Sequence, residues 1–157
     1  MIVDMQILIM AVGKDTPIEL RAIQQDYERR LQPQASITWK LLPASRALEP
    51  DQIRIQESHL IYEVIKDNDT VVLLDERGIQ QTNEAFAQTF EQLAGKHGRL
   101  VIVIGGAFGV DDSLRDRADF VWSFSKLVFP HQLMRIMLLE QLYRTFAVQN
   151  NHPYHHV

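Results

Sequence analysis

The chain has 157 residues, 46% of them apolar and 23% charged, no cysteine and a formal net charge of −4. That length suits one domain over residues 1–157 and leaves little room for a second. Without cysteine there is no disulfide framework, thiolate metal site or thiol nucleophile, and no apolar run reaches the ~20 residues of a membrane span, so a cytoplasmic protein without a membrane partner is expected. The acidic balance argues mildly against nucleic acid, but it is uneven. From Arg115 onward there are five Lys/Arg against three Asp/Glu, with four of the six histidines.

The opening MIVDMQILIMAVGKD lacks the basic stretch and small-residue cleavage site of a signal peptide. Gln6–Val12 is a continuous apolar run, the pattern of a strand buried on both faces. After Gly13-Lys14-Asp15, the segment from Pro17 to Leu31 places Ile18, Leu20, Ile23, Tyr27 and Leu31 at helical spacing, with Thr16 as the expected N-cap. Ser36–Leu42 reads as the next strand, and Asp51 to Lys66 as a helix with Ile53, Leu60, Ile61, Val64 and Ile65 inward. Thr70–Asp75 is a strand followed by the turn Glu76-Arg77-Gly78. Thr82 caps a helix through Leu93, and Arg99–Ile104 is another buried strand. Asp111–Arg117 forms a short helix and Asp119–Trp122 a last strand. The alternation predicts an α/β fold, a largely parallel sheet with helices on both faces.

Pro130 opens a long helix to Phe146, where proline is tolerated because the first turn has no use for its N–H. The helix is apolar over most of its circumference: Leu133, Met134, Ile136, Met137, Leu138, Leu139, Leu142, Tyr143, Phe146. An outer helix of a monomer should show one apolar stripe, so this one calls for a second subunit, and a homodimer is expected.

Three features carry chemistry. Ile104-Gly105-Gly106-Ala107-Phe108-Gly109 joins a strand to a helix at the carboxyl edge of the sheet, where open α/β folds bind ligands. It is not a GxGxxG fingerprint and no Walker lysine follows; alone, it is equally a tight turn or a cofactor loop. Ser125 to Pro130 lies past another strand end and Leu74-Asp75 at a third. Such a pocket of backbone and small side chains suits an adenine-and-ribose ligand better than a metal. The tail Asn150-Asn151-His152-Pro153-Tyr154-His155-His156-Val157 has three histidines but no helical HxxxH spacing, so no metal is expected. It is either a solvated end or a base-stacking element.

IGGAFG, then WSFSKLVFPHQLMRIMLLEQLYRTF, then NHPYH, together with ILIMAVGK and LLDERG, resemble the ribosomal RNA large-subunit methyltransferase H family, of the SPOUT class. The resemblance covers nearly the whole chain. It implies a C-terminal trefoil knot, a homodimer, and S-adenosylmethionine as cofactor. It also implies methylation of N3 of a pseudouridine in large-subunit (23S) ribosomal RNA. Carried over, the cofactor positions are Leu74, Gly105 and Gly106, and Ser125, Lys126, Leu127, Val128, Phe129 and Pro130. This chain starts four residues before the usual family start, making Met5 the expected initiator, and Phe108 stands where many members have a polar residue. The N3 proton must leave, and His131, Arg135, Arg144, His152, Tyr154 and His155 are the candidates to take it or to favour the anionic ring. An acidic protein binds naked RNA weakly, so the expected partner is rRNA within the assembled ribosome. The competing classes are a dinucleotide-dependent oxidoreductase, disfavoured because the glycine loop follows the fourth strand, and a non-catalytic RNA- or ribosome-binding module of the same fold.

Overall fold

The computed structural model describes residues 5–96 and 98–154. Every run expected as a strand is one: β1 (Gln6–Val12), β2 (Ser36–Leu42), β3 (Thr70–Ile79), β4 (Leu100–Ile104) and β5 (Phe120–Trp122). They alternate with α1 (Ile18–Leu31), α2 (Pro50–Val64), α3 (Asn83–Ala94), α4 (Asp112–Arg117) and α5 (His131–Gln149). The strands form one five-stranded sheet in the order β2-β1-β4-β3-β5, every neighbouring pair parallel.

The unbroken apolar runs follow from cover on both faces. Ile7, Ile9, Val72, Ile102 and Ile104 turn to one face and meet Leu31 of α1, Phe86 and Phe90 of α3, and Leu138, Leu139 and Leu142 of α5. Leu8, Met10, Val71, Leu73, Val101 and Val103 turn to the other and meet Ile61 of α2 and Leu114 of α4. Each such side chain, fully buried, contributes about 1.5–3 kcal/mol of transfer free energy. Phe86 stacks on Trp122 with ring centroids 3.5 Å apart, and Phe90 meets Phe146 edge-on at 5.4 Å, which locks α3 to β5 and α5.

Four local expectations change. Thr16 does not cap α1: Pro17 occupies that position without a side-chain cap, and the Thr16 hydroxyl instead donates to Gln24 at 2.5 Å and accepts from Arg135 at 3.3 Å. Ile18 and Ile23, spaced as core residues, are exposed. β3 continues through the expected turn to Ile79, with a register shift against β5 between Leu74 and Ile79. Gly78 permits it, since a Cβ there would lie 2.5 Å from the Val121 carbonyl oxygen. Finally, α5 has Pro130 as its N-cap and runs to Gln149. Its sheet-facing side is buried, but Leu133 is exposed and Met134, Ile136, Met137 and Tyr143 are half-buried.

β4 lies between β1 and β3. The chain leaves β1 and β3 toward helices on the α5 face, and leaves β4 toward α4 on the opposite face. Neighbouring connections therefore diverge at the carboxyl end of β4 and open a crevice there, the position at which open α/β sheets hold ligands.

Candidate functional site

The crevice is a cleft of about 590 Å³, bounded by the ends of β3 and β4, the glycine loop, the segment after β5 and the start of α5. That volume falls in the range of small-molecule sites. Of the positions expected to bind a cofactor, Leu74, Gly105, Gly106, Ser125, Leu127, Val128, Phe129 and Pro130 line it. Lys126 is exposed and does not. Leu73, Ile104, Trp122, Phe124 and Met134 add apolar surface, and Arg54, Asp75, Glu76 and Arg77 charged groups at the wall.

The loop geometries follow from their residues. The Gly109 N–H bonds to the Gly106 carbonyl at 3.0 Å, and Gly109 sits at φ +75°, a conformation glycine adopts without steric cost. Gly106 is needed for a different reason. A Cβ there would come within 2.4 Å of Glu57 Oε1 and 3.3 Å of Val12, so a side chain would be driven into the buried acid on α2. After β5, the Ser123 hydroxyl donates to the Glu76 and Ser125 carbonyls at 3.2 and 2.9 Å, and the Leu127 N–H donates to Ser125 Oγ at 3.0 Å. A cleft that sets apolar side chains beside loop backbone and a few charged groups fits an adenosyl group. Among the described residues no three His, Asp or Glu side chains gather as metal ligands.

The candidate catalytic residues do not share one place. His131, the first residue of α5, lines the cleft. Burial first, and then the Arg135 charge, hold its imidazole below the ordinary value of 6.5, so it is neutral at pH 7. Arg135, the candidate one turn on, does not line the cleft. It is fully buried, donates from Nη1 to Thr16 Oγ1 at 3.3 Å, and its Nε and Nη2 have no partner among the described residues. Burial pushes it below its ordinary value, opposed by Asp15; an arginine keeps its charge nonetheless. Close by is Gly13 at φ +118°, whose added Cβ would stand 3.2 Å from His131 Nε2.

Arg144 and Tyr154 form a second group. Arg144 pairs with Glu140 at 2.5 Å, Tyr154 donates its hydroxyl to the same carboxylate at 2.8 Å, and the Arg144 guanidinium lies 5.2 Å from the centroid of the Tyr154 ring. Burial, then Glu140, raise the Tyr154 phenol above its ordinary value. The His152 ring accepts from the Tyr154 N–H at 3.1 Å. His155 lies outside the described residues. Helical rise puts Arg144 about 20 Å along α5 from His131, and neither Arg144 nor Tyr154 lines the cleft.

Sequence reasoning missed Glu57 and the Gly13–Thr16 turn. The available signals were an acid and a serine, Glu57-Ser58, interrupting the inward face of α2 one turn before Ile61, and a glycine directly after β1.

The model of the family described as "Predicted SPOUT methyltransferase" matches residues 5–155. A protein of Christiangramia forsetii named Ribosomal RNA large subunit methyltransferase H is 36% identical over 156 residues, 97% of this chain and 99% of that one. Proteins of the same name from Clostridium botulinum strain Okra and Thioalkalivibrio sulfidiphilus are 38% and 36% identical, each over 96% of this chain and 99% of their own. Among solved structures, a probable methylase family protein of Haemophilus influenzae superposes with TM-score 0.52 at 14% identity, over 92% of this chain and 66% of the other. A putative methylase family protein of Neisseria gonorrhoeae gives 0.52 at 13%, over 87% and 81%. At that identity the two structures speak for the fold alone.

Proposed function

Because the chain belongs to the SPOUT methyltransferases, and within them to the ribosomal RNA large subunit methyltransferase H family, we propose that the carboxyl-edge cleft is where it transfers a methyl group to N3 of a pseudouridine in 23S ribosomal RNA. The protein is an S-adenosylmethionine-dependent rRNA methyltransferase with the parallel α/β fold of that class, whose C-terminal trefoil knot the resemblance implied. The observation that carries the site assignment is the meeting of the β3, β4 and β5 end loops around one apolar, backbone-rich cleft.

When bound, S-adenosylmethionine supplies an electrophilic methyl on its sulfonium. The chain's own residues then have two tasks, in-line positioning and removal of the N3 proton. Leu74, the glycine loop, Ser125 and Leu127 to Pro130 hold the adenosyl part. Neutral His131 at the cleft is the group able to accept the proton on its imidazole, and general-base help of this kind is worth about 10²–10⁴-fold. The buried Arg135 charge behind it favours negative charge on the target ring.

The second group joins the site only across a dimer. The half-buried apolar side of α5 and the exposed Ile18 and Ile23 of α1 are the surface a C2 partner would cover. In that arrangement the Arg144–Tyr154 cluster of one protomer closes the cleft of the other. The acidic chain makes few phosphate contacts, so the substrate is the assembled ribosome of the cytoplasm. Among the described residues no helix is long and apolar enough to cross a membrane.

Methyl transfer to ribosomes, followed by mass spectrometry of the rRNA, tests the reading: one methyl on a pseudouridine is expected, and methylation elsewhere or none contradicts it. Co-expression of His131→Ala and Tyr154→Ala chains tests the composite site. A heterodimer would keep one intact site of two and restore turnover that neither homodimer has; no restoration would place each site within one protomer.

A further inference from the structure

One buried acid beneath the glycine loop has no part in the reaction so far. Glu57 is 3% exposed. Its Oε2 accepts from the Ser45 backbone N–H at 2.9 Å, which ties α2 to the loop after β2. Its Oε1 has no partner among the described residues, although it is packed so closely on Gly106 that a Cβ there would lie 2.4 Å away. Val12 of β1 borders the same spot, so three strand ends meet at one carboxyl.

No described cation faces it. Arg54, on its own helix, is engaged with Asp51. Arg46 in the loop after β2, and Lys14 and Asp15 after β1, are exposed. Beyond the glycine loop, Asp111 spends its carboxylate on the Leu114 N–H, and its own N–H goes to Ser58. An ionised carboxylate only accepts hydrogen bonds, and a buried one without donors is costly. A neutral carboxyl has one accepting oxygen and one donating hydroxyl, which matches one oxygen on the Ser45 N–H and the other against loop backbone.

We propose that Glu57 carries its proton on Oε1, donates it to backbone of the Gly105–Gly106 segment, and is thereby a positioning residue for the cofactor cradle. Burial, partly offset by the Ser45 bond, pushes the carboxyl above its ordinary value of 4.5, in keeping with that geometry. The proposal rests on reading the cleft as the S-adenosylmethionine site. Ionisation sets an unpaired anion against the loop, which must shift to find a donor, so the formed cradle belongs to the neutral acid. Cofactor affinity then falls with rising pH, approaching about tenfold per pH unit above the folded pKa of Glu57.

Calorimetric titration of S-adenosylmethionine from acid to alkaline pH tests this with wild type, Glu57→Gln and Glu57→Ala. The glutamine can accept from Ser45 and donate to the loop, and is expected to hold the low-pH wild-type affinity at every pH. The alanine is expected to bind about tenfold more weakly or worse, without that pH dependence. A wild type that binds no cofactor at any pH removes the cofactor reading itself. A wild type that binds without the pH dependence, or a glutamine variant that keeps it or loses affinity throughout, overturns the proton on Glu57. If neither variant folds, the infrared carboxyl band of the wild-type protein decides. A protonated buried acid that disappears as pH rises supports the proposal, and its absence at low pH overturns it.

Discussion

At the amino edge of the sheet, Asp69 accepts from Arg99 Nε and Nη2 at 2.9 and 3.0 Å and from the Lys66 N–H at 2.7 Å; at the carboxyl edge, Glu57 meets one N–H and no cation. Both acids are buried. Around Asp69 the pairing is closed. Arg117 donates to the Asp69 carbonyl at 2.9 Å, and Asp119 accepts from the Val71 N–H at 2.8 Å. At the opposite edge, Glu57 Oε1 and Arg135 Nε and Nη2 are the buried side-chain atoms left without partners among the described residues. A native core rarely tolerates such atoms. They lie against residues that line the cleft, Glu57 on Gly106 and Arg135 beside His131.

Four substitutions or titrations would break or sharpen that contrast. The largest effect is expected from His131→Gln, which should slow single-turnover methylation of ribosomes about a thousandfold, some 4 kcal/mol of barrier, with the melting temperature unchanged. Unaltered turnover would place the proton acceptor elsewhere. Next, Arg99→Ala strands the Asp69 carboxylate. It should cost about 3 kcal/mol in denaturant unfolding while cofactor affinity stays as in wild type, and a loss of affinity would deny that the two edges are independent.

Arg135→Met removes a buried charge that holds one hydrogen bond, to Thr16, and whose Nε and Nη2 are without partners among the described residues. Stability should be unchanged or higher by about 1 kcal/mol, while turnover falls. Destabilisation would show Arg135 to be structural. The smallest effect is the pH dependence of melting. Burial pushes Asp69 up, but the Arg99 and Lys66 hydrogen bonds and charges outweigh it and leave it below its ordinary 3.8. Its contribution is therefore present above the ordinary carboxylate value and lost as pH falls through the folded one. Glu57 is raised, so its contribution is complete below 4.5 and lost as pH rises through its folded value. Asp69→Asn should flatten the acid limb and Glu57→Gln the opposite one; exchanged limbs would contradict both assignments.

The amino-acid pattern makes the sheet legible because strands covered on both faces read as apolar runs, as Gln6–Val12 and Leu100–Ile104 do. The side-chain cap at Thr82 was legible for a local reason, its hydroxyl accepting from the Ala85 N–H three residues on. The cleft-lining loops were legible because they follow strand ends, with the family resemblance selecting them among other turns. Three things were not. Thr16 looks like a cap but is drawn away by Gln24 and Arg135, residues 8 and 119 positions distant. Glu57 reads as a solvated acid on α2 until β1 and the glycine loop fold over it. The distance between His131 and the Arg144–Tyr154 pair is a matter of helix length that a list of polar residues does not display.

The most direct test of the cleft as cofactor site is calorimetric titration of S-adenosylmethionine into Val128→Trp. Val128 lines the cleft yet is 78% exposed, so a large ring there can occupy the cleft while folding changes by no more than about 0.5 kcal/mol. The account predicts affinity lower by at least about a hundredfold with an unchanged melting temperature. Wild-type affinity in that variant would contradict it.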